Sequence, residues 1–232
     1  MSERGPFGVH ERPEPGPEPR PPAPPPPAPP ARHSSVAWIL GVATLLAIAY
    51  ITLNTLRTEG PGSRGLGAGT PLPPFAMPLA LSSLTGDANV ATRTGSGPEG
   101  QRPACEVRGA DVLNSCELAE RGPVVLAFFA PQEPCEKQVD ALERIRPSYP
   151  DVAFAAVAIR GDRDEVRRVV REHGWKLPVG HDEDGAVANA YAVALCPTIT
   201  FAYEGGRVDG TSLRLEGEST LRARVERLRR GP

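Results

Sequence analysis

A long stretch without a charged residue, 36–56, most constrains how this chain can fold. As an α-helix it would be about 31 Å long, close to the ~30 Å hydrocarbon core of a bilayer. Trp38 and Tyr50 are residue types that favour membrane interfaces. The apolar part of a cleaved signal peptide is shorter, and the leader here would be long and contain acidic residues. We therefore predict one transmembrane helix over 36–56.

The segments on both sides of this stretch have compositions typical of unfolded chain. Of the 28 prolines, 13 precede residue 31, and residues 21–31 are only Pro and Ala. Because such a segment buries too little apolar area to fold, we predict a disordered Pro-rich tail over 1–35. Its Pro-x-x-Pro repeats also suit an aromatic-lined groove of a partner, which is the less favoured alternative. Gly, Pro, Ser and Ala dominate 57–72 and predict a flexible linker.

Charge and cysteine spacing exclude two classes of function. The formal net charge is −2, and no cluster of Lys and Arg is interleaved with aromatic residues. A nucleic-acid partner is therefore not expected. The four cysteines lack the closely paired spacing of a zinc site, so we predict neither a metal nor another cofactor.

Residues 73–232 alternate between strand and helix patterns and predict an α/β domain. Short apolar runs predict buried strands, and apolar residues at helical spacing predict the helices between them. The predicted strands are 124–129, 152–159, 199–203 and 208–213, with a short extended piece at 177–180. The predicted helices are 135–146, 162–172, 186–191 and 218–230. Parallel β-α-β units followed by an antiparallel hairpin and a last helix imply a mixed sheet flanked by helices.

Two motifs in this domain resemble hallmarks of the thioredoxin-like superfamily. The first is Gly-Pro-Val-Val-Leu-Ala-Phe-Phe-Ala (122–130), followed by Cys135 at a helix start. The second is Tyr-Ala-Val-Ala-Leu-Cys-Pro-Thr-Ile-Thr-Phe (191–201), similar to the loop that carries a cis-proline before a strand. The most similar branches are the alkyl hydroperoxide reductase/thiol-specific antioxidant group and membrane-tethered thiol–disulfide oxidoreductases. The resemblance implies a thioredoxin-like mixed sheet and a cis bond before Pro197.

The resemblance also implies where the chemistry lies, and where this sequence departs from it. Dithiol members of the superfamily use Cys-x-x-Cys, and Cys135 fits the second position while Gln132 occupies the place of the attacking Cys. Cys196 precedes the cis-proline position and is expected beside the same turn, where it could form a disulfide with Cys135. We predict Cys135, Cys196 and Pro197 as catalytic residues. The alternative is that both cysteines are small apolar residues of the core.

Cys105 and Cys116 form a separate predicted pair. Residues 108–111 suit a turn between two short strands, which would place the two cysteines side by side in a hairpin before the core. A structural disulfide there would contribute roughly 2–3 kcal/mol by the loop-entropy relation. An even number of cysteines fits an oxidising compartment. We therefore expect a single-pass plasma-membrane protein with a cytoplasmic N-terminus and an extracytoplasmic C-terminal domain.

Two hypotheses of function follow. The first is a membrane-anchored thiol-based oxidoreductase or peroxide-reducing, antioxidant protein that uses Cys135, with Cys196 as its partner. Its partners would be protein thiols and disulfides or small peroxides, with the lipid bilayer contacted through 36–56. The second is a redox-inactive thioredoxin-like module that binds extended protein segments and has lost the first Cys of Cys-x-x-Cys.

Overall fold

The structure is a computed structural model that describes residues 35–57, 64–96 and 102–232. The Pro-rich tail predicted over 1–35 lies outside these residues except for Ser35, as do residues 58–63 of the predicted linker. Helix α1 spans Ser35–Arg57, and Trp38, Leu45 and Ile48 are among its large exposed apolar side chains. Among the helices in these described ranges, none is long and apolar enough to cross a membrane.

A five-stranded mixed sheet forms the centre of the domain. Its strand order is β5-β4-β3-β6-β7. Strands β3, β4 and β5 are parallel, whereas β6 is antiparallel to β3 and β7 is antiparallel to β6. The strands are β3 (Val124–Phe129), β4 (Ala153–Ala158), β5 (Val179–His181), β6 (Thr198–Ala202) and β7 (Val208–Ser212). The mixed sheet predicted from the sequence is therefore confirmed.

Helices cover both faces of this sheet. They are α2 (Ser115–Arg121), α3 (Cys135–Ile145), α4 (Arg163–His173), α5 (Ala186–Ala190) and α6 (Glu218–Arg229). Asp162 caps α4, because its carboxylate accepts a hydrogen bond from the backbone N–H of Glu165 at 2.8 Å. Gly174 ends α4 with φ +64°, a left-handed conformation that favours glycine.

The central strand β3 divides the apolar core into two parts, one on each face of the sheet. Since side chains alternate along a strand, Val125 and Phe129 face one way while Leu126 and Phe128 face the other. The first part packs against apolar residues of α3, α4 and α6. The second part packs against α2, α5 and the segment of chain that precedes α2. All six β3 residues are buried, which explains why the run has no polar alternation.

The chain before β3 differs from the predicted hairpin. Strand β1 (Ala76–Pro78) pairs antiparallel with β2 (Val112–Asn114), so the two partners are far apart in sequence. Cys105 lies in a short 3-10 helix, Ala104–Glu106, and Cys116 lies in the first turn of α2. The prediction of two strands flanking a turn at 108–111 was therefore wrong, because the strand after that turn pairs with β1 instead.

The predicted flexible linker over 57–72 also needs correction in its second half. The backbone N–H of Leu72 donates to the carbonyl of Gly206 at 2.8 Å, and that of Gly69 donates to Val208 at 2.7 Å. The hydroxyl of Thr211 donates to the carbonyl of Leu66 at 3.0 Å. Residues 64–72 therefore run along β7, since its outer edge offers unpaired backbone groups that this segment satisfies.

Candidate functional site

Cys135 lies where the turn after β3 becomes helix α3. Its backbone N–H donates to the carbonyl of Gln132 at 3.0 Å, and that of Glu136 donates to the same carbonyl at 3.3 Å. The turn includes a cis bond between Glu133 and Pro134, for which the sequence carried no recognised signal. The Cys135 side chain is only 1 % exposed and belongs to the core on the α3 face.

Cys196 lies in the loop that leads into β6. Its bond to Pro197 is cis, as the resemblance implies. The hydroxyl of Thr198 donates to the carbonyl of Leu195 at 2.6 Å and so closes the loop on itself. Cys196 is half-buried, while the neighbouring Leu195 is 63 % exposed. This loop therefore presents Cys196 at the surface of the domain.

A disulfide joins Cys135 to Cys196, with their Cα atoms 5.5 Å apart. The sheet explains how residues 61 positions apart meet. Strand β6 is antiparallel to β3, and Phe128 pairs with Thr198. The chain leaving β3 and the chain entering β6 therefore lie at the same edge of the sheet, and each carries one cysteine there.

Gln132 takes part in this site although it cannot carry out thiol chemistry. Its side chain is exposed, and its amide Nε2 lies 3.9 Å from the Sγ of Cys196, within range of a weak hydrogen bond to sulfur. The sequence predicted Gln132 only as the place where the resembled family has its attacking Cys. Its contact with the sulfur of Cys196 was missed.

The carboxylates that flank Cys135 are both paired with basic side chains. Glu133 lies 2.6 Å from Lys137, and Glu136 lies 3.5 Å from Nε2 of His173. The other ring nitrogen of His173 lies 2.8 Å from the carboxylate of Asp140. The Lys137 ammonium offsets part of the negative charge beside the start of α3. The contacts of His173 with α3 were not predicted, because contacts between different helices leave no local pattern in the sequence.

The second predicted pair, Cys105 and Cys116, is also joined by a disulfide, with Cα atoms 5.4 Å apart. Asn114 holds the two segments together. Its side-chain amide donates to the carbonyls of Ala104 and Val107, both at 2.8 Å. Its side-chain oxygen accepts from the N–H of Cys116 at 2.8 Å and so caps α2. This pair fastens the chain before β3, whereas Cys135 and Cys196 both follow β3 in the sequence.

An open cleft of about 540 Å³ lies against β1 and β2, lined by residues that include Met77, Leu84 and Arg102, with neither Cys nor His among them. Over residues 35–57, 64–96 and 102–232, no group of three His, Cys, Asp or Glu side chains is arranged to hold a metal ion. The Cys135–Cys196 disulfide is therefore the strongest candidate for chemistry in this part of the chain.

Part of the chain is similar to known sequences. Residues 103–208 match the sequence profile of the AhpC/TSA family. The thiol-disulfide oxidoreductase ResA of Bacillus thuringiensis subsp. konkukian is 26 % identical over 100 residues, covering 42 % of this chain and 56 % of that protein. ResA of Bacillus anthracis is 27 % identical over 93 residues, covering 37 % and 54 %. The chain thus spans a little over half the length of the curated relatives it matches.

Solved structures show the same fold. The thioredoxin domain of a thiol-disulfide oxidoreductase from Bacteroides vulgatus has a TM-score of 0.51 at 13 % identity and covers 71 % of this chain and 99 % of that one. An uncharacterized conserved protein from Geobacillus kaustophilus has a TM-score of 0.53 at 20 % identity, covering 71 % and 83 %. The sheet order and the cis-proline loop give the domain a thioredoxin-like fold, and residues 103–208 are similar in sequence to the AhpC/TSA family.

Proposed function

We propose that this protein is a thiol–disulfide oxidoreductase whose redox couple is Cys135 and Cys196. The observation that carries the proposal is the disulfide between the start of α3 and the cis-proline loop. This edge of the sheet is where the superfamily places its dithiol, but here the two sulfurs come from different loops. The named relatives are thiol-disulfide oxidoreductases, which supports the same class of reaction.

The exchange balances with protein thiols as substrates. Two substrate thiols lose two electrons and two protons and become a disulfide, while the Cys135–Cys196 bond is reduced to two thiols. The reverse direction reduces a substrate disulfide. Either direction needs a second thiol or disulfide partner to restore the starting state. The exposed side chain of Leu195, next to Cys196, suits contact with a polypeptide better than with a small polar thiol.

Peroxide reduction is the less favoured form of this activity. It requires a reduced cysteine that a peroxide can reach as a thiolate. Cys135 is 1 % exposed and lies in the apolar core, so its burial restricts access by a polar oxidant. Thiol–disulfide exchange requires only that one of the two sulfurs be reachable.

The second candidate is a binding module without redox activity. The observation in its favour is Gln132, which stands exposed where dithiol relatives have the attacking Cys. In that case the Cys135–Cys196 disulfide would only brace the cis-proline loop against α3. Both candidates share the fold and differ in whether this disulfide opens under exchange conditions.

Anchoring to the plasma membrane through 36–56, with the domain on the extracytoplasmic side, is part of the proposal. The absence of charge over this stretch supports it, as do the exposed apolar side chains of α1. Two disulfides suit an oxidising compartment. Fractionation of cells that express the full chain or a chain without 36–56 tests the anchor. Recovery of both chains in the soluble fraction would contradict it.

Thiol mapping of the full-length protein, purified in a mild detergent, tests the proposed reaction. The oxidised protein is mixed with a reduced, unfolded polypeptide that has two cysteines, quenched in acid, alkylated and analysed by peptide mass. We expect alkylated thiols to appear at Cys135 and Cys196 while a disulfide forms in the polypeptide. Cys105 and Cys116 should remain paired and serve as the internal control. A Cys135–Cys196 bond that stays closed throughout would favour the binding module.

A further inference from the structure

The two sulfurs of the Cys135–Cys196 disulfide differ in how far a partner can reach them. Cys135 is 1 % exposed and is surrounded by core residues on the α3 face. Cys196 is only half-buried and follows the exposed Leu195. A thiolate attacks one sulfur of a disulfide and expels the other, so access decides which sulfur is attacked.

We propose that substrate thiolates attack Cys196, so that the intermolecular disulfide forms on the cis-proline loop and Cys135 is the leaving group. This assignment rests on the proposed function and adds which of the two sulfurs is attacked. In dithiol members of the superfamily the reacting sulfur lies in the turn before α3, where this chain has Gln132. Here the attacked sulfur lies in the loop before β6.

The start of α3 suits Cys135 as the leaving group. The sulfur departs as a thiolate, and the partial positive charge at a helix N-terminus stabilises a negative charge placed there. The neighbouring carboxylate of Glu133 is paired with Lys137, which limits its repulsion of that charge. A leaving group stabilised as a thiolate departs faster.

The reaction then proceeds in two balanced steps. In the first, the substrate thiolate bonds to Cys196 while the Cys135–Cys196 bond breaks and Cys135 takes up the negative charge. In the second, another substrate thiolate attacks the substrate sulfur, the substrate disulfide forms, and Cys196 leaves as a thiolate. The amide of Gln132, 3.9 Å from the Sγ of Cys196, is placed to donate to that thiolate. An oxidised disulfide partner restores the Cys135–Cys196 bond.

Peptide mapping of the trapped intermediate tests this assignment on the unaltered full-length protein. The oxidised protein is mixed with a short peptide that has a single cysteine, so that the second step proceeds only with another copy of the peptide, and is quenched in acid within seconds. We expect the peptide to be found on Cys196, with Cys135 as a free thiol. A peptide found mainly on Cys135 would overturn the assignment and leave the proposed function standing. No exchange at either sulfur would overturn the proposed function itself.

Two single variants provide an independent measurement. In Cys135→Ser the remaining thiol is Cys196, and in Cys196→Ser it is Cys135. With a peptide that carries an activated disulfide, we expect the Cys135→Ser variant to react at least about tenfold faster, because its thiol is accessible. Circular dichroism of both variants confirms that they are folded. Equal rates in two folded variants, or a faster Cys196→Ser variant, would contradict the assignment.

Discussion

At the scale of single residues, the site holds a pair of bonded cysteines although Gln132 stands where the resembled family has its attacking Cys. Gln132 cannot form a disulfide, but its amide remains beside the Sγ of Cys196. Cys135 keeps the buried position at the start of α3. The second sulfur of the disulfide belongs to Cys196, in the loop before β6. The local motif therefore looks incomplete in sequence although two sulfurs are bonded in the fold.

A single carboxylate beyond the site, Glu143 near the end of α3, carries a pH-dependent part of the stability. Burial by itself would raise the pKa of Glu143, but hydrogen bonds from Arg146 and from the backbone N–H groups of Leu177 and Lys176 outweigh it and lower the pKa. A lowered pKa means that the stabilisation is present above the ordinary value of 4.5 and is lost as the pH falls through the folded-state value.

We therefore expect Glu143→Gln to lower the free energy of unfolding by about 1–2 kcal/mol at neutral pH, because charge-assisted hydrogen bonds are lost. The difference from the wild type should shrink when both proteins are compared near pH ~3, where the carboxyl is protonated. Urea unfolding at both pH values measures this. Glu172→Gln is the control, since Glu172 forms an exposed pair with Arg168 that should contribute only a few tenths of a kcal/mol. A difference that is the same at both pH values would contradict this account.

At the scale of secondary-structure elements, Asn114 links β2, α2 and the short 3-10 helix that carries Cys105. Its oxygen caps α2, and its amide donates to the carbonyls of Ala104 and Val107. Asn114→Ala removes both roles, whereas Asn114→Ser keeps a capping oxygen but cannot reach the two carbonyls. We expect both variants to be less stable, with Ala lower than Ser by about 1 kcal/mol, the contribution of a helix cap. Chemical unfolding of the two variants measures the difference, and equal stabilities would show that the cap contributes nothing.

The sequence predicted the elements whose signals are local and missed those that depend on distant partners. The uninterrupted apolar run of β3 and the helical spacing of apolar residues in α4 gave correct predictions. Strands β1 and β2 have three residues each, which is too short to show the alternation of apolar and polar residues that predicts a strand. They also pair with each other across a long separation in sequence, Ala76 with Asn114. The path of residues 64–72 was missed for the same reason. These residues are held by backbone hydrogen bonds to β7, a distant partner that composition does not reveal.

The sequence likewise predicted part of the candidate site and missed the rest. The resemblance placed Cys135 and Cys196 at one edge of the sheet, and the disulfide between them agrees with that placement. Their roles in a reaction remain predictions. The cis bond before Pro134 and the His173–Asp140 contact could not be inferred, because each depends on the path of the folded chain.

At the scale of the whole molecule, two disulfides cross-link the domain at different places. Cys105–Cys116 closes a loop with a sequence separation of 11 in the chain before β3, and Cys135–Cys196 closes one of 61 across the sheet. Both constrain the unfolded chain, and the longer loop constrains it more. If the first is structural and the second is the redox couple, removing each should affect different properties.

We expect the double variant Cys105→Ser/Cys116→Ser to lose about 3 kcal/mol of unfolding free energy and to retain thiol–disulfide exchange, since its Cys135–Cys196 bond is intact. The matched variant Cys135→Ser/Cys196→Ser should lose about 4 kcal/mol by the same relation and lose exchange completely. Urea unfolding under non-reducing conditions gives the stabilities, and the two-cysteine polypeptide assay gives the activity. An exchange activity that disappears with Cys105 and Cys116 while the protein stays folded would instead assign the redox role to that pair. The Cys135–Cys196 disulfide would then serve only to hold the start of α3 against the loop before β6.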